Sequence, residues 1–187
     1  VLLAGVAGLF AGAFSMGAGE WISMRSQKEM YEHLIRFEER LFDNHPNLAA
    51  EQIAEIYEAK GIGKDQASAI AAQLMSDRAT ALDTLSREKL GVDPDALGSP
   101  WGAAWSSFVA FTAGALFPLV PFIFTGGTEA AVFASIASSV GLLVVGGAMA
   151  AFTGNAILRG GIRMFVIGAI AAAVTFGIGN AGGVTLD

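Results

Sequence analysis

The chain contains no cysteine, which excludes disulfides and thiolate metal sites. Charge is scarce as well: charged residues make up 15% of the sequence against 53% hydrophobic, and the mean hydropathy of +0.55 is far from that of a soluble domain. The scarcity is concentrated, because no charged residue occurs in 1–19, 96–128, 130–158 or 164–186. Each run approaches or exceeds the roughly 20 apolar residues that cross a hydrocarbon core. Histidine is nearly absent, and His33 and His45 lack a second histidine at ligand spacing. No His/Glu or Ser/His pair falls inside the apolar runs, so an intramembrane enzyme has no candidate residues. The net charge of −6 comes mainly from one soluble segment and gives no reason to expect a nucleic-acid partner.

What the chain does have is four spans and one long polar insertion. The second apolar run is long because it holds a loop at 97–100, a helix interrupted by Pro118 and Pro121, and a turn at 125–127. Nine of the eleven basic residues lie between the first and second spans, from Arg25 to Lys89, and Arg159 and Arg163 lie between the third and fourth. Loops of one parity face one side, and basic loops face the cytoplasm. The expected architecture is an all-α polytopic membrane helical bundle, with a cytoplasmic three-helix segment inserted between membrane spans. Its divisions are a membrane helix at 1–25, the cytoplasmic segment at 26–98, and three further membrane helices at 99–187. The chain opens within an apolar run, without an initiator Met or a basic leader, and reads as preceded by further residues.

In the polar insertion, the first helix continues the membrane helix to about Phe42 and stops at Asn44-His45-Pro46. A second helix is expected from Leu48 to Lys60, with Ile53, Ile56 and Tyr57 on one face and Gly61 as its cap. A third begins near Asp65 and runs through Ile70, Leu74, Leu82 and Leu85 to Gly91. Trp101 and Trp105 then suit an interfacial aromatic belt. Gly8 with Gly12, Gly179 with Gly183, and Gly141, Gly146 and Gly147 are read as close-packing positions.

Residues 8–32 carry the strongest functional signal, since membrane helix runs on into charged helix without a break. Gly12, Met16, Glu20 and Met24 share one face at helical spacing. A carboxylate flanked by thioethers suits a divalent metal of borderline softness such as Fe(II). Glu20 has a plain reading too: it stands five residues before Arg25 and can snorkel or pair with it. Met16 and Met24 can equally be packing residues.

The run SMGAGEWISMRSQKE, the helical segment ending in REKLGVDP, and the later GNAILRGGIRMFVIGAIAAAVTFGIG together resemble the vacuolar iron transporter family over nearly the whole chain. The resemblance implies five membrane helices, of which 1–25 would be the second, and a homodimer in membrane lipid. It also implies export of Fe(II) or Mn(II) from the cytosol by proton antiport, with the metal as cargo and no organic cofactor. The family's pathway Met falls on Met16 and its acidic position on Glu20. The expected location is a bacterial inner membrane, with 26–98 cytoplasmic. The wording SMRSQKEMYEH is similar to relatives that carry an upstream ferritin-like, rubrerythrin-type domain.

In the soluble segment, the family's ligand positions fall on Glu38, Leu41, Ala49 and Gln52, and its final glutamate falls on Lys89, or on Glu88 with a one-residue slip. Its Met pair falls near Thr84 and Leu85. The candidate metal residues are thus Met16, Glu20, Glu38, Glu39, Glu55 and Glu88. With so few carboxylates, weak cation binding is expected there. The alternative function is a non-transporting scaffold whose cytoplasmic helices dock a partner, and a Glu20 paired only with Arg25 would favour it.

Overall fold

The computed structural model describes residues 1–183; the last four residues of the chain, including Asp187, lie outside it. Every regular element among the described residues is helical, with no strand. The elements are α1 (Leu2–Asn44), α2 (Pro46–Ala59), α3 (Lys64–Leu74), α4 (Arg78–Thr84), α5 (Pro100–Leu119), α6 (Pro121–Phe124), α7 (Gly127–Phe152) and α8 (Ile157–Ala181). Among them, α1, α5 with its preceding turn, α7 and α8 are long and apolar enough to cross a membrane. The fold is a polytopic helical bundle. By contacts the chain divides into two units, Val1–Gly17 with everything from Trp105 onward, and Ala18–Ala104.

In the first unit, α7 and α8 pack backbone to backbone through glycine. A Cβ on Gly160 would stand 2.6 Å from the Gly146 carbonyl oxygen, and one on Gly161 would stand 3.0 Å from that of Leu143. Gly146, Gly147, Gly160 and Gly161 are all buried. In lipid, where helices gain nothing from hiding apolar side chains, this close approach supplies the attraction. The GxxxG pairs fare differently. Gly12 is closed off by Phe111, whereas Gly8 and Gly179 have open space around them and Gly183 has a left-handed φ of +77°.

Hydroxyls in the spans are satisfied locally. Thr112, Ser135, Ser138, Ser139 and Thr175 each donate to the carbonyl four residues back, about 2.8–2.9 Å away. Arg159 and Arg163 lie in the first two turns of α8 rather than in a loop, since the connection between α7 and α8 is short.

In the second unit, α1 continues unbroken past its apolar half and ends at Asn44, where Pro46 takes the first position of α2. α2 closes on Gly61, at φ +90°, with N–H bonds from Gly61 to the Glu58 carbonyl and from Ile62 to that of Tyr57, the paired geometry of a Schellman cap. The expected third helix is two. The chain turns at Ser76 and Asp77, and the Asp77 carboxylate accepts the Thr80 N–H and hydroxyl to cap α4. Those hydrogen bonds, the hydroxyl's first, hold the Asp77 carboxyl below 3.8. Gly63, not Asp65, precedes the first turn of α3.

The core of this unit is built on small residues, Ala49, Ala54, Ala67, Ala71 and Ala81, around Ile53 and Leu85. α4 leads into a π turn, Leu85–Lys89. Arg87 in that turn holds three carboxylates: Asp83 at 2.7 Å, Asp93 at 2.7 Å and Asp95 at 3.2 Å. The hydrogen bond from Arg87 is the main cause that draws the Asp93 carboxyl below its usual range.

Candidate functional site

Met16 and Glu20 lie one turn apart on α1, at the end of its charge-free stretch, and both are exposed on the chain. Glu20 makes no ion pair or hydrogen bond among the described residues. Arg25, the partner a structural role would call for, turns to Glu29 instead, with Nε donating to Oε1 at 2.6 Å. Met24, the other thioether of the stripe, is half-buried and packs beside Gly98, where a Cβ would collide with its methyl group. It is a packing residue. The stripe therefore offers one soft and one hard ligand on an apolar helix, with both left uncommitted.

The second acidic position behaves differently. Glu38 is 2% exposed, the one charged residue that is buried among the described residues. The Lys89 ammonium reaches it from the π turn, donating to Glu38 Oε1 at 2.7 Å and to Gln52 Oε1 at 2.9 Å. Glu38 Oε2 is buried with no donor of its own. Glu38, Gln52 and Lys89 are three of the positions expected from the resemblance to match the family's ligands, and the fold brings them together. What fills the space between the two oxygens is an ammonium belonging to the chain itself.

The remaining candidates are dispersed. Glu39 is half-buried, Glu55 lies exposed beside Glu51, Glu58 and Lys64 in the α2–α3 groove, and Glu88 pairs with Lys60 at 2.5 Å. Among the described residues, no three His, Cys, Asp or Glu side chains group to hold a metal ion. A dispersed set of single carboxylates suits weak, exchangeable attraction of cations rather than tight capture.

Two arrangements escaped the sequence reading. One is the Glu38–Gln52–Lys89 cluster, visible in sequence only as a lysine at a ligand position. The other is a recess of about 330 Å³ lined by Trp21, Arg25, Lys28, Ser99 and Trp101. Its signal was present in the spacing, since positions 21, 25 and 28 share a helical face.

Residues 1–180 match the VIT family, nearly the whole chain. The chain belongs to the VIT family. It is 34% identical over 180 residues to a protein of Acanthamoeba castellanii named vacuolar iron transporter, covering 96% of this chain and 68% of that one. It is 31% identical to vacuolar iron transporter 1 of Eucalyptus grandis, covering 97% of this chain and 73% of that one. It is 30% identical to vacuolar iron transporter 2 of Oryza sativa subsp. japonica, covering 97% and 74%. For this VIT-family chain, the match at residues 1–180 runs through the apolar spans and the polar insertion alike.

Proposed function

We propose that this chain is a membrane transporter of metal ions rather than an enzyme, that its cargo is Fe(II) and also Mn(II), and that it exports the ion from the cytosol in exchange for protons. Iron transport is what the names of its relatives state. The observation that carries the reading is the free Glu20 on an apolar helix. A carboxylate is costly there, and the spans otherwise close their hydrogen bonds internally. The scaffold alternative calls for Glu20 paired with Arg25, and Arg25 is engaged with Glu29.

The chemistry follows from the two side chains. Deprotonated Glu20 offers a hard anionic ligand and Met16 a polarisable sulfur, a pair that suits a borderline divalent cation. Proton and metal compete for the same oxygens, so protonation of Glu20 releases the ion. That competition is the basis for coupling transport to a pH gradient. The carboxylates of the polar insertion draw cations toward the membrane, and Glu38 is withheld from them by Lys89.

The test is Fe(II) and Mn(II) uptake into proteoliposomes containing the full-length protein, with an imposed pH gradient. Met16→Ala and Glu20→Gln are each expected to lower the rate about tenfold or more, the scale of one lost contact to a charged ligand. Wild-type rates in both variants at equal protein would reject the path. Topology is tested separately. Cysteines introduced at Lys60 and Asn155 should show the same protection in intact cells, with both sites inside the inner membrane of a bacterial host. Opposite labelling would overturn the cytoplasmic placement of 26–98.

A further inference from the structure

The recess beside Trp21 lies where α1 leaves its charge-free stretch and where α5 begins, at Pro100. We infer that it is a binding site for the phosphate group of an anionic phospholipid headgroup. Two cationic side chains line it, Arg25 and Lys28, one turn apart. Arg25 gives only its Nε to Glu29, leaving its two terminal nitrogens for another anion. Lys28 stands 4.0 Å from Glu32, at the limit of an ion pair. The acidic neighbours Glu29 and Glu32 therefore temper the positive charge without cancelling it.

Three further features point to the same ligand. The Trp21 indole N–H is buried with no acceptor among the described residues, and Trp21 lines the recess. The first turn of α5 forms part of the wall through Pro100 and Trp101, and a long helix presents the positive end of its dipole there. Ser99 caps that turn, its Oγ accepting the Gly102 N–H at 3.2 Å. Finally, the recess carries an aromatic membrane anchor. Trp101 is 75% exposed, and its ring lies 5.9 Å from that of Trp21. Indoles of this kind settle at headgroup depth, where phosphate is the abundant anion. A lipid phosphate would meet two cations and the start of α5 there.

The experiment uses the full-length protein in detergent, with three probes titrated separately and followed by thermal shift and native mass spectrometry. The probes are dioctanoyl phosphatidylglycerol, dioctanoyl phosphatidylcholine and inorganic phosphate. Phosphatidylglycerol is expected to bind and raise the melting temperature, with the other two markedly weaker. Arg25→Gln/Lys28→Gln should lower phosphatidylglycerol affinity roughly thirtyfold, the combined effect of two juxtamembrane cations. Trp21→Phe keeps the ring and removes only the N–H, and should weaken binding about fivefold. Glu29→Gln, which frees Arg25, should bind at least as well as wild type. Equal binding of the two lipids, or wild-type affinity in both the double variant and Trp21→Phe, overturns the site. Inorganic phosphate binding as tightly as phosphatidylglycerol would assign the recess to a soluble anion and overturn the lipid assignment.

Discussion

Glu20 and Glu38 stand on the same helix, about five turns apart and on one face, yet their surroundings are opposites. Glu20 is exposed, next to apolar residues, and has no partner among the described residues. Glu38 is buried and joined to a lysine that comes from 51 residues along the chain. A carboxylate that only has to hold a fold is found the way Glu38 is, with its counter-charge supplied by the chain. One left free on an apolar helix has to be accounted for by something the chain does not contain. On the proposed function, that difference separates a charge that holds the fold from one that handles cargo.

The comparison can be broken first at Lys89. Lys89→Met leaves Glu38 buried without its cation and is expected to cost about 2 kcal/mol or more, seen as a lower melting temperature of the full-length protein. Because the Lys89 side chain is itself 31% exposed, the loss should fall at the lower end for buried pairs. Glu38→Gln/Lys89→Met removes both charges and should recover most of it. Glu20→Gln, by contrast, should leave the melting temperature unchanged. A destabilised Glu20→Gln together with an indifferent Lys89→Met would reverse the assignment of the two glutamates.

A smaller effect lies within the second unit. The Asp77 carboxyl is lowered in the folded chain, so its contribution is fully present above 3.8 and lost as pH falls through the folded value. Amide exchange at Thr80, corrected for intrinsic rate, should therefore show protection that holds from neutral pH down to about 4 and weakens below it. Asp77→Asn should flatten that dependence while keeping α4, because asparagine also caps helices. Pronounced loosening of Thr80 near pH 6 would point to a different cap.

Much of the bundle was legible in the sequence because hydropathy and helix punctuation act locally. The charge-free runs marked the spans, and Asn44-His45-Pro46 and Gly61 marked ends where helices do end. The break at Asp77 was hidden because apolar spacing continues through it, so a single helix fits the pattern as well as two. Gly160 and Gly161 do not stand out in sequence beside the GxxxG pairs, since only the neighbouring backbone reveals which glycines are closed off. At the candidate site, Met16 and Glu20 could be named from spacing on one helix. The partner of Glu38 could not, because a contact between α1 and the π turn depends on how α2, α3 and α4 fold between them. Lys89 looked in sequence like a lost ligand, and in three dimensions it is a cation.

The glycine contact between α7 and α8 also bears on how the membrane unit can move. At Gly146 and Gly160 the two helices meet backbone to backbone, with Met164, Ile157 and Leu142 packed tightly beside the contact, which leaves little room for one helix to roll over the other. Any rearrangement has to carry the hairpin as one stiff body, with its compliance located at other joints, such as the Pro118–Pro121 interruption. The same contact restricts mutational drift. At Gly160 even a methyl group would press on backbone, so this hairpin should change more slowly than the lipid-facing residues beside it.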